Sequence, residues 1–384
     1  MSEVAQAPQL RFPEFSGEWK EKKLDSVVSK FIVPMRDKPT DLTGSIPWCR
    51  IEDFDGMYLN QSKTGQGVSE ETVKEMNLKV YPINTLLVSC SANLGFCAIV
   101  KKELITNQTF IGLQSNDNLI NIEFLYYLMK LSSRRLNILS SGTTISYLSR
   151  REFENFKITT PSLPEQQKIA AFLTAVDNKI EQLSKKQALL GEYKKGLMQQ
   201  IFSQAIRFKA DDGSEFPDWE EKKLRDVAKI TTGSSNREDS GLDGQYTFFD
   251  RSEDIRTSDR YLFDGKAVIV AGEGSRFPPK YFEGKFDLHQ RTYAIMEFVE
   301  ANSKYIFYFV DKQKNYLLRY AVGSTVKSLR LPIFQKMPVS LPSLPEQTKI
   351  ANFLSSIDNK IEQVGGQLDK SKQFKKALLQ QMFV

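Results

Sequence analysis

Residues 161–182 read PSLPEQQKIAAFLTAVDNKIEQ and residues 342–363 read PSLPEQTKIANFLSSIDNKIEQ, identical at 17 of 22 positions with a fixed offset of 181. A segment spelled twice, while the sequence between the copies diverges, points to two variable modules carried on two similar supports. A second matched pair lies upstream, WKEKKLDSV at 19–27 and WEEKKLRDV at 219–227, so each half of the 384-residue chain opens and closes alike. The match returns late in each module, with SGTTISYL at 141–148 against VGSTVKSL at 322–329. NIEFLYYLMK at 121–130 shares its apolar pattern with NSKYIFYFVDK at 302–312. The two modules are therefore expected to share a fold.

The repeated segment predicts the start of a long helix. Ser162 and Glu165 have capping-box spacing with Pro164 in the first turn, and Ser343, Glu346 and Pro345 repeat the device. From Ile169 to Ile201, and again from Ile350 to Met382, steps of four and three pick out ten positions of which eight are apolar. That is a coiled-coil seam; Gln187 and Lys194 interrupt it in the first copy, Ser371 and Lys375 in the second. Each helix would run about 58 Å at 1.5 Å per residue. Two such stripes in one chain are natural partners. Because the second helix runs back along the first, antiparallel pairing is expected, with one module at each end and a pseudo-two-fold repeat. Gly365 and Gly366 fall inside the second helix where the first has Ser184 and Lys185, and two glycines cost about 2 kcal/mol of helix propensity.

Short β-branched or aromatic runs such as LLVSCSA, CAIVKK, AVIVAG and RTYAIMEF alternate with helical patterns, so each module reads as an α+β domain with a twisted sheet. Residues 1–160 form the first module, 161–204 the central helix, 205–341 the second module and 342–384 the C-terminal helix. An apolar fraction of 40% supports packed cores, and no run approaches the roughly 18 apolar residues a membrane span needs. The first residues have no charged-then-apolar secretion pattern, so a cytoplasmic, membrane-free protein is expected. Cys49, Cys90 and Cys97 are read as small buried hydrophobes, and with His289 the sole histidine no structural metal is expected.

Catalytic motifs are missing. There is no phosphate-binding G-x-x-x-x-G-K-[ST] loop, AGEGSR at 271–276 lacks the third glycine of a dinucleotide fingerprint, and RFPPK at 276–280 puts Phe277 where a base-gripping Asn or Asp would stand. His289 is read as structural. The excess of 53 Lys and Arg over 47 Asp and Glu is compatible with nucleic acid but decides little. Basic and aromatic residues do gather in turn-rich places. The first module offers Gly142, Thr143, Thr144, Tyr147, Arg150 and Arg151. The second offers Arg276 and Lys280, then Gly323, Ser324, Thr325, Lys327 and Arg330. Small donors beside Arg and Lys suit phosphates, and Arg on a projecting loop suits guanine edges in the major groove.

Two SLPEQ-x-KIA-x-FL-x-x-x-D-x-KIEQ helices carrying two divergent modules resemble the specificity subunit of Type I restriction-modification systems, over nearly the whole chain. The resemblance implies two target recognition domains, each reading half of a bipartite double-stranded DNA sequence, with a spacer set by the helices. It implies a non-catalytic chain partnered by two modification and two restriction subunits, which would carry S-adenosylmethionine, ATP and Mg. Two modification subunits need two equivalent docking surfaces, and Glu165, Gln166, Glu346 and Gln347 are the residues expected to face them. The alternative reading is a coiled-coil scaffold that reads no DNA.

Overall fold

The two expected long helices span Leu163–Phe202 and Leu344–Gln381, 40 and 38 residues. The computed structural model describes residues 7–34, 38–91, 93–140, 147–252 and 254–384. Its chain forms two units: Met1–Leu183 with Gln367–Val384, and Ser184–Gly366. Each helix therefore belongs to both units, the first beginning in unit one and ending in unit two, the second the reverse. No helix among the described residues is long and apolar enough to cross a membrane.

In unit one, a five-stranded sheet runs in the order Val28–Ile32, Phe110–Ser115, Thr85–Ser89, Cys97–Val100, Tyr58–Leu59, antiparallel except for the last pair. Unit two repeats that order and that single parallel pair with Lys229–Thr232, Thr292–Met296, Phe263–Ala271, Lys280–Leu288 and Tyr246–Phe249, then adds the edge strand Arg256–Ser258. Unit one has instead a separate three-stranded sheet of Ile46–Cys49, Gly67–Val68 and Ile105–Thr106. The interior strands Thr85–Ser89 and Thr292–Met296 are buried along their whole length, which a mostly continuous apolar run permits and an alternating one would not. The shared α+β fold expected from weak local matches is thus a shared strand order.

Behind each sheet lies a helix capped by asparagine, Ile122–Leu131 after Asn121 and Ser303–Lys312 after Asn302; each cap side chain accepts from backbone N–H groups of the first turn. The tyrosine- and phenylalanine-rich faces of these helices meet the long helices in the cores. Ile169, Ala170 and Leu173 of the first long helix and Leu378 and Met382 of the second close the unit-one core. Ile350, Ala351, Leu354 and Ile357 of the second and Met198 and Ile201 of the first close the unit-two core. Leu173 and Leu354 are fully buried, so truncating either to alanine costs about 2–5 kcal/mol.

Within unit two the seam is antiparallel: Lys194 meets Asp358, and a Cβ on Gly365 would lie 2.8 Å from the Gln187 amide. Gly365 thus makes room for the polar seam residue Gln187, and the helix continues unbroken through Gly366. Pro164 and Pro345 sit in the first turns as expected, but the capping boxes do not form. The carboxylates of Glu165 and Glu346 turn instead to arginines distant in sequence, and the Ser343 hydroxyl is buried without a partner. The three cysteines are free and buried, and burial pushes the Cys90 thiol up to about 11 and Cys49 and Cys97 up to about 12.

Candidate nucleic-acid interface

The frame that presents the loops is tied together in the same way twice. In unit one the Arg11 guanidinium donates to both oxygens of Glu165 at 2.7 Å, and the Trp19 indole N–H donates to the same carboxylate at 3.4 Å. In unit two Arg207 donates to Glu346 at 2.9 Å and Trp219 at 3.1 Å. The adjacent glutamines anchor the asparagine-capped helices: Asn121 N–H donates to Gln166 Oε1 at 3.0 Å and Asn302 N–H to Gln347 Oε1 at 2.7 Å. Their amide groups donate to the carbonyls of Leu119 and Pro161, and of Glu300 and Pro342. Glu165, Gln166, Glu346 and Gln347 are 0–1% exposed. The expectation that they face a partner is corrected: their polar atoms are spent inside each unit, because a buried carboxylate or amide without partners would be costly.

Arg11 and Arg207 escape sequence reasoning because they lie 154 and 139 residues from their partners. The available signal is an Arg-Phe pair ahead of each repeated tryptophan, 11–12 and 207–208. Its phenylalanines meet repeat-equivalent rings edge-on, Phe12 on Phe172 at 5.8 Å and Phe208 on Phe353 at 5.5 Å.

On the unit-two frame the two basic segments are brought together. Glu273–Gly274 pairs with Lys327–Ser328, Leu329 N–H donates to the Gly272 carbonyl at 2.7 Å, and Val322 and Ser328 close a turn over Gly323–Val326. Two glycines are required. A Cβ on Gly272 would lie 2.4 Å from the Arg291 carbonyl; Gly323 has φ +105° and a Cβ there would lie 2.4 Å from the Val326 carbonyl. Gly323, Ser324 and Thr325 therefore stand exposed at the turn, Lys327 lies in the paired strand, and Arg330 is exposed just beyond it. Arg276 is exposed beside the buried Phe277.

Arg276 and Lys280 line one cleft of about 560 Å³ with Arg251, Lys314 and Glu273. Lys280 Nζ donates to the Ser252 carbonyl at 2.9 Å, which ties the cleft wall to the neighbouring loop. The Glu273 side chain, 17% exposed, holds Arg291 at 2.7 Å and Arg251 at 3.5 Å while both arginine side chains remain over 60% exposed. Arg251, Arg291 and Lys314 were not legible as site residues, since only the tertiary fold gathers two loop residues and the start of the helix Lys314–Tyr320. Asp250 lies beneath; burial pushes its carboxyl up, hydrogen bonds from Ser252 outweigh this, and it stays below the usual range. His289 accepts from Arg291 N–H at 3.1 Å, and burial pushes it below the usual histidine value. Among the described residues no metal-ligand cluster is gathered.

Unit one builds the equivalent place from other residues. Tyr147, 47% exposed, bridges Ser91, and Leu148 N–H donates to the Cys90 carbonyl at 2.9 Å, matching Leu329 and Gly272. Gly142, Thr143 and Thr144 lie outside the described residues. Arg150 and Arg151 open the short helix Arg150–Asn155, capped by Ser149 and Glu152. Arg150 pairs with Glu154 at 2.7 Å and lines a cleft of about 830 Å³ with Lys30, Lys74 and Lys79, whereas Tyr147 lines a different one with Ser91, Gln108 and Thr109. Tyr147 and Arg150 thus line two clefts that share Val33, and Arg151 is exposed.

The model of the Type I restriction modification DNA specificity domain matches residues 16–190 and again 217–370. The chain is 33% identical over 203 residues to the Type I restriction enzyme MjaIX specificity subunit of Methanocaldococcus jannaschii, covering 50% of this chain and 47% of that one. It is 27% identical over 347 residues to the MjaVIII specificity subunit of the same organism, covering 81% of each. The crystal structure of a Type I S subunit from M. genitalium shares the fold at 16% identity, with a TM-score of 0.68 and 99% of both chains covered. The expectation of a non-catalytic chain now rests on this relationship rather than on missing motifs. Matched twice, over most of its length, the chain belongs to the Type I restriction modification DNA specificity family.

Proposed function

We propose that each unit reads one half of a bipartite, asymmetric double-stranded DNA target, and that the long helices set the spacer and dock two modification subunits. The observation that carries this reading is a frame repeated side chain for side chain beneath loops that differ: Arg276, Lys280, Lys327 and Arg330 in unit two, Tyr147, Arg150 and Arg151 in unit one. Identical frames suit two copies of one partner. Different loops suit two different half-sites. Methyl transfer from S-adenosylmethionine and the ATP- and Mg-dependent steps fall to the modification and restriction chains, two of each, acting with this chain in the cytoplasm.

The test is a binding titration of the complex on DNA variants. Arg276→Ala or Arg330→Ala should weaken recognition of one half-site only, by about 1–3 kcal/mol for a bidentate base contact. A loss spread evenly over all sequences would assign the residue to phosphate instead.

A further inference from the structure

The sheet ends that carry the loops correspond in backbone hydrogen bonds but not in side chains. In unit one Cys90 N–H donates to the Thr109 carbonyl at 2.9 Å, and Leu148 N–H to the Cys90 carbonyl at 2.9 Å. In unit two Gly272 N–H donates to the Arg291 carbonyl at 2.8 Å, and Leu329 N–H to the Gly272 carbonyl at 2.7 Å. With Ser91 bridging Tyr147 and Glu273 pairing with Ser328, these bonds put Ser91 where unit two has Glu273, Thr109 where it has Arg291, and Tyr147 where it has Ser328. Two hydroxyls and a ring thus replace the Glu273–Arg291 ion pair and a serine. Gln108 and Gln290 occupy equivalent positions, yet Gln290 is tied, its amide donating to Asn236 at 2.5 Å.

The chemistry changes with them. The unit-one cleft, about 370 Å³, is lined among the described residues by Val33, Pro34, Ser91, Gln108, Thr109 and Tyr147, none of them charged. The unit-two cleft presents Arg251, Arg276, Lys280 and Lys314. Around Gln108 the backbone is held: its carbonyl accepts from the Cys90 thiol at 3.8 Å, and the next residue, Thr109, donates its hydroxyl to Asn107 at 2.7 Å. The Gln108 side chain is exposed, and among the described residues its amide makes no hydrogen bond. A free amide offers one donor group and one acceptor. Adenine presents the complement on its major-groove edge, an N7 acceptor beside an N6 donor, whereas guanine presents two acceptors that suit Arg or Lys. The half-exposed Tyr147 ring adds an apolar surface of the kind that packs on a thymine methyl.

We propose that the unit-one cleft reads an A·T base pair in the major groove, with Gln108 on the adenine edge and the Tyr147 ring on the adjoining thymine methyl. This rests on the reading above that unit one binds one half-site, and it names the base pair and the side chains that select it. Charge for the phosphates comes from next door: the cleft that shares Val33 with this one is lined by Lys30, Lys74, Lys79 and Arg150. Unit one thereby separates its cations from its base-reading amide, and unit two combines the two functions in its arginines.

The test is a binding titration of the chain in complex with its modification subunits, on duplexes carrying the motif methylated in its host and every single-base variant of it. Gln108→Ala should keep the wild-type melting temperature, bind the motif about tenfold more weakly, and lose discrimination at one A·T position of one half-sequence while the other half is unchanged. Replacing that adenine by 7-deazaadenine should weaken the wild type and leave Gln108→Ala indifferent. Replacing the adjoining thymine by uracil, which removes the methyl, should weaken the wild type and Tyr147→Phe but not Tyr147→Ala. A folded Gln108→Ala complex that discriminates at every position as the wild type does, or that loses a G·C position instead, would overturn the inference while bipartite reading stands. Equal sensitivity of the wild type and Tyr147→Ala to uracil would overturn the role of the ring. A wild-type complex with no sequence preference would overturn the reading of half-sites and this inference together.

Discussion

The hydroxyl of Tyr308 donates to the carboxylate of Asp358 at 2.6 Å, and Lys194, arriving on the other long helix, holds the second carboxylate oxygen at 2.6 Å with its ammonium 5.0 Å from the Tyr308 ring. Unit one repeats the triad with Tyr127 on Asp177 at 2.8 Å and Lys375 over the Tyr127 ring. Burial first, and the carboxylate after it, pushes both phenols above the usual tyrosine range, so they remain donors. The two lysines that interrupt the apolar seam are therefore its register marks, since only one antiparallel alignment places each beside its aspartate and tyrosine.

Lys194→Met should destabilise unit two by about 1–2 kcal/mol, below the cost for a fully buried pair because Asp358 keeps 37% of its exposure. Urea unfolding of Lys194→Met, Asp358→Asn and the double variant should give a coupling near 1 kcal/mol. A coupling of zero would mean that the seam is aligned by its apolar residues alone.

What was legible followed from local periodicity. Ile169, Leu173, Ile350 and Leu354 repeat at helical spacing, and they are the buried stripe. What was not legible depended on partners far along the chain. Glu165 has capping-box spacing, yet Arg11 and Trp19 compete for its carboxylate and win, because a charge-assisted bidentate pair is stronger than a neutral cap. The site divided the same way. Arg276 and Lys327 could be picked out by their turn context, but Arg251, Arg291 and Lys314, the last on the helix Lys314–Tyr320, come near the cleft only through tertiary packing that no local window contains.

His289 gives a pH dependence of definite sign. Its folded value lies below the ordinary 6.5 because burial and the nearby Arg291 and Arg251 outweigh Asp250 and Glu273. The unfolded chain then binds the proton more readily. This contribution to stability is fully present above about pH 6.5 and is lost as pH falls below it. His289→Asn should flatten that part of the stability–pH curve measured by thermal melting between pH 5 and 7. A curve as steep as that of the wild type would assign the slope to other groups.

Each helix is clamped in both units, by Lys194–Asp358 in one and Asp177–Lys375 in the other. A four-residue insertion in one helix alone should therefore break a triad, whereas matched insertions after Leu183 and after Gly366 should keep both. Four residues add about 6 Å, or up to about two base pairs of DNA. Sequencing the methylated motif of a host expressing the double insertion should show a spacer longer by one or two base pairs with both half-sequences unchanged. An unchanged spacer would remove the helices from that role.

The most direct measurement of independent reading is the methylated motif of a host whose chain carries residues 228–337 of a relative in place of its own, with both long helices and the Arg–Glu–Trp ties retained. The expected motif keeps one half-sequence and the spacer and changes only the other half. A motif altered in both halves would show that the units do not read separately, and a repeated frame beneath independent readers would no longer describe this chain.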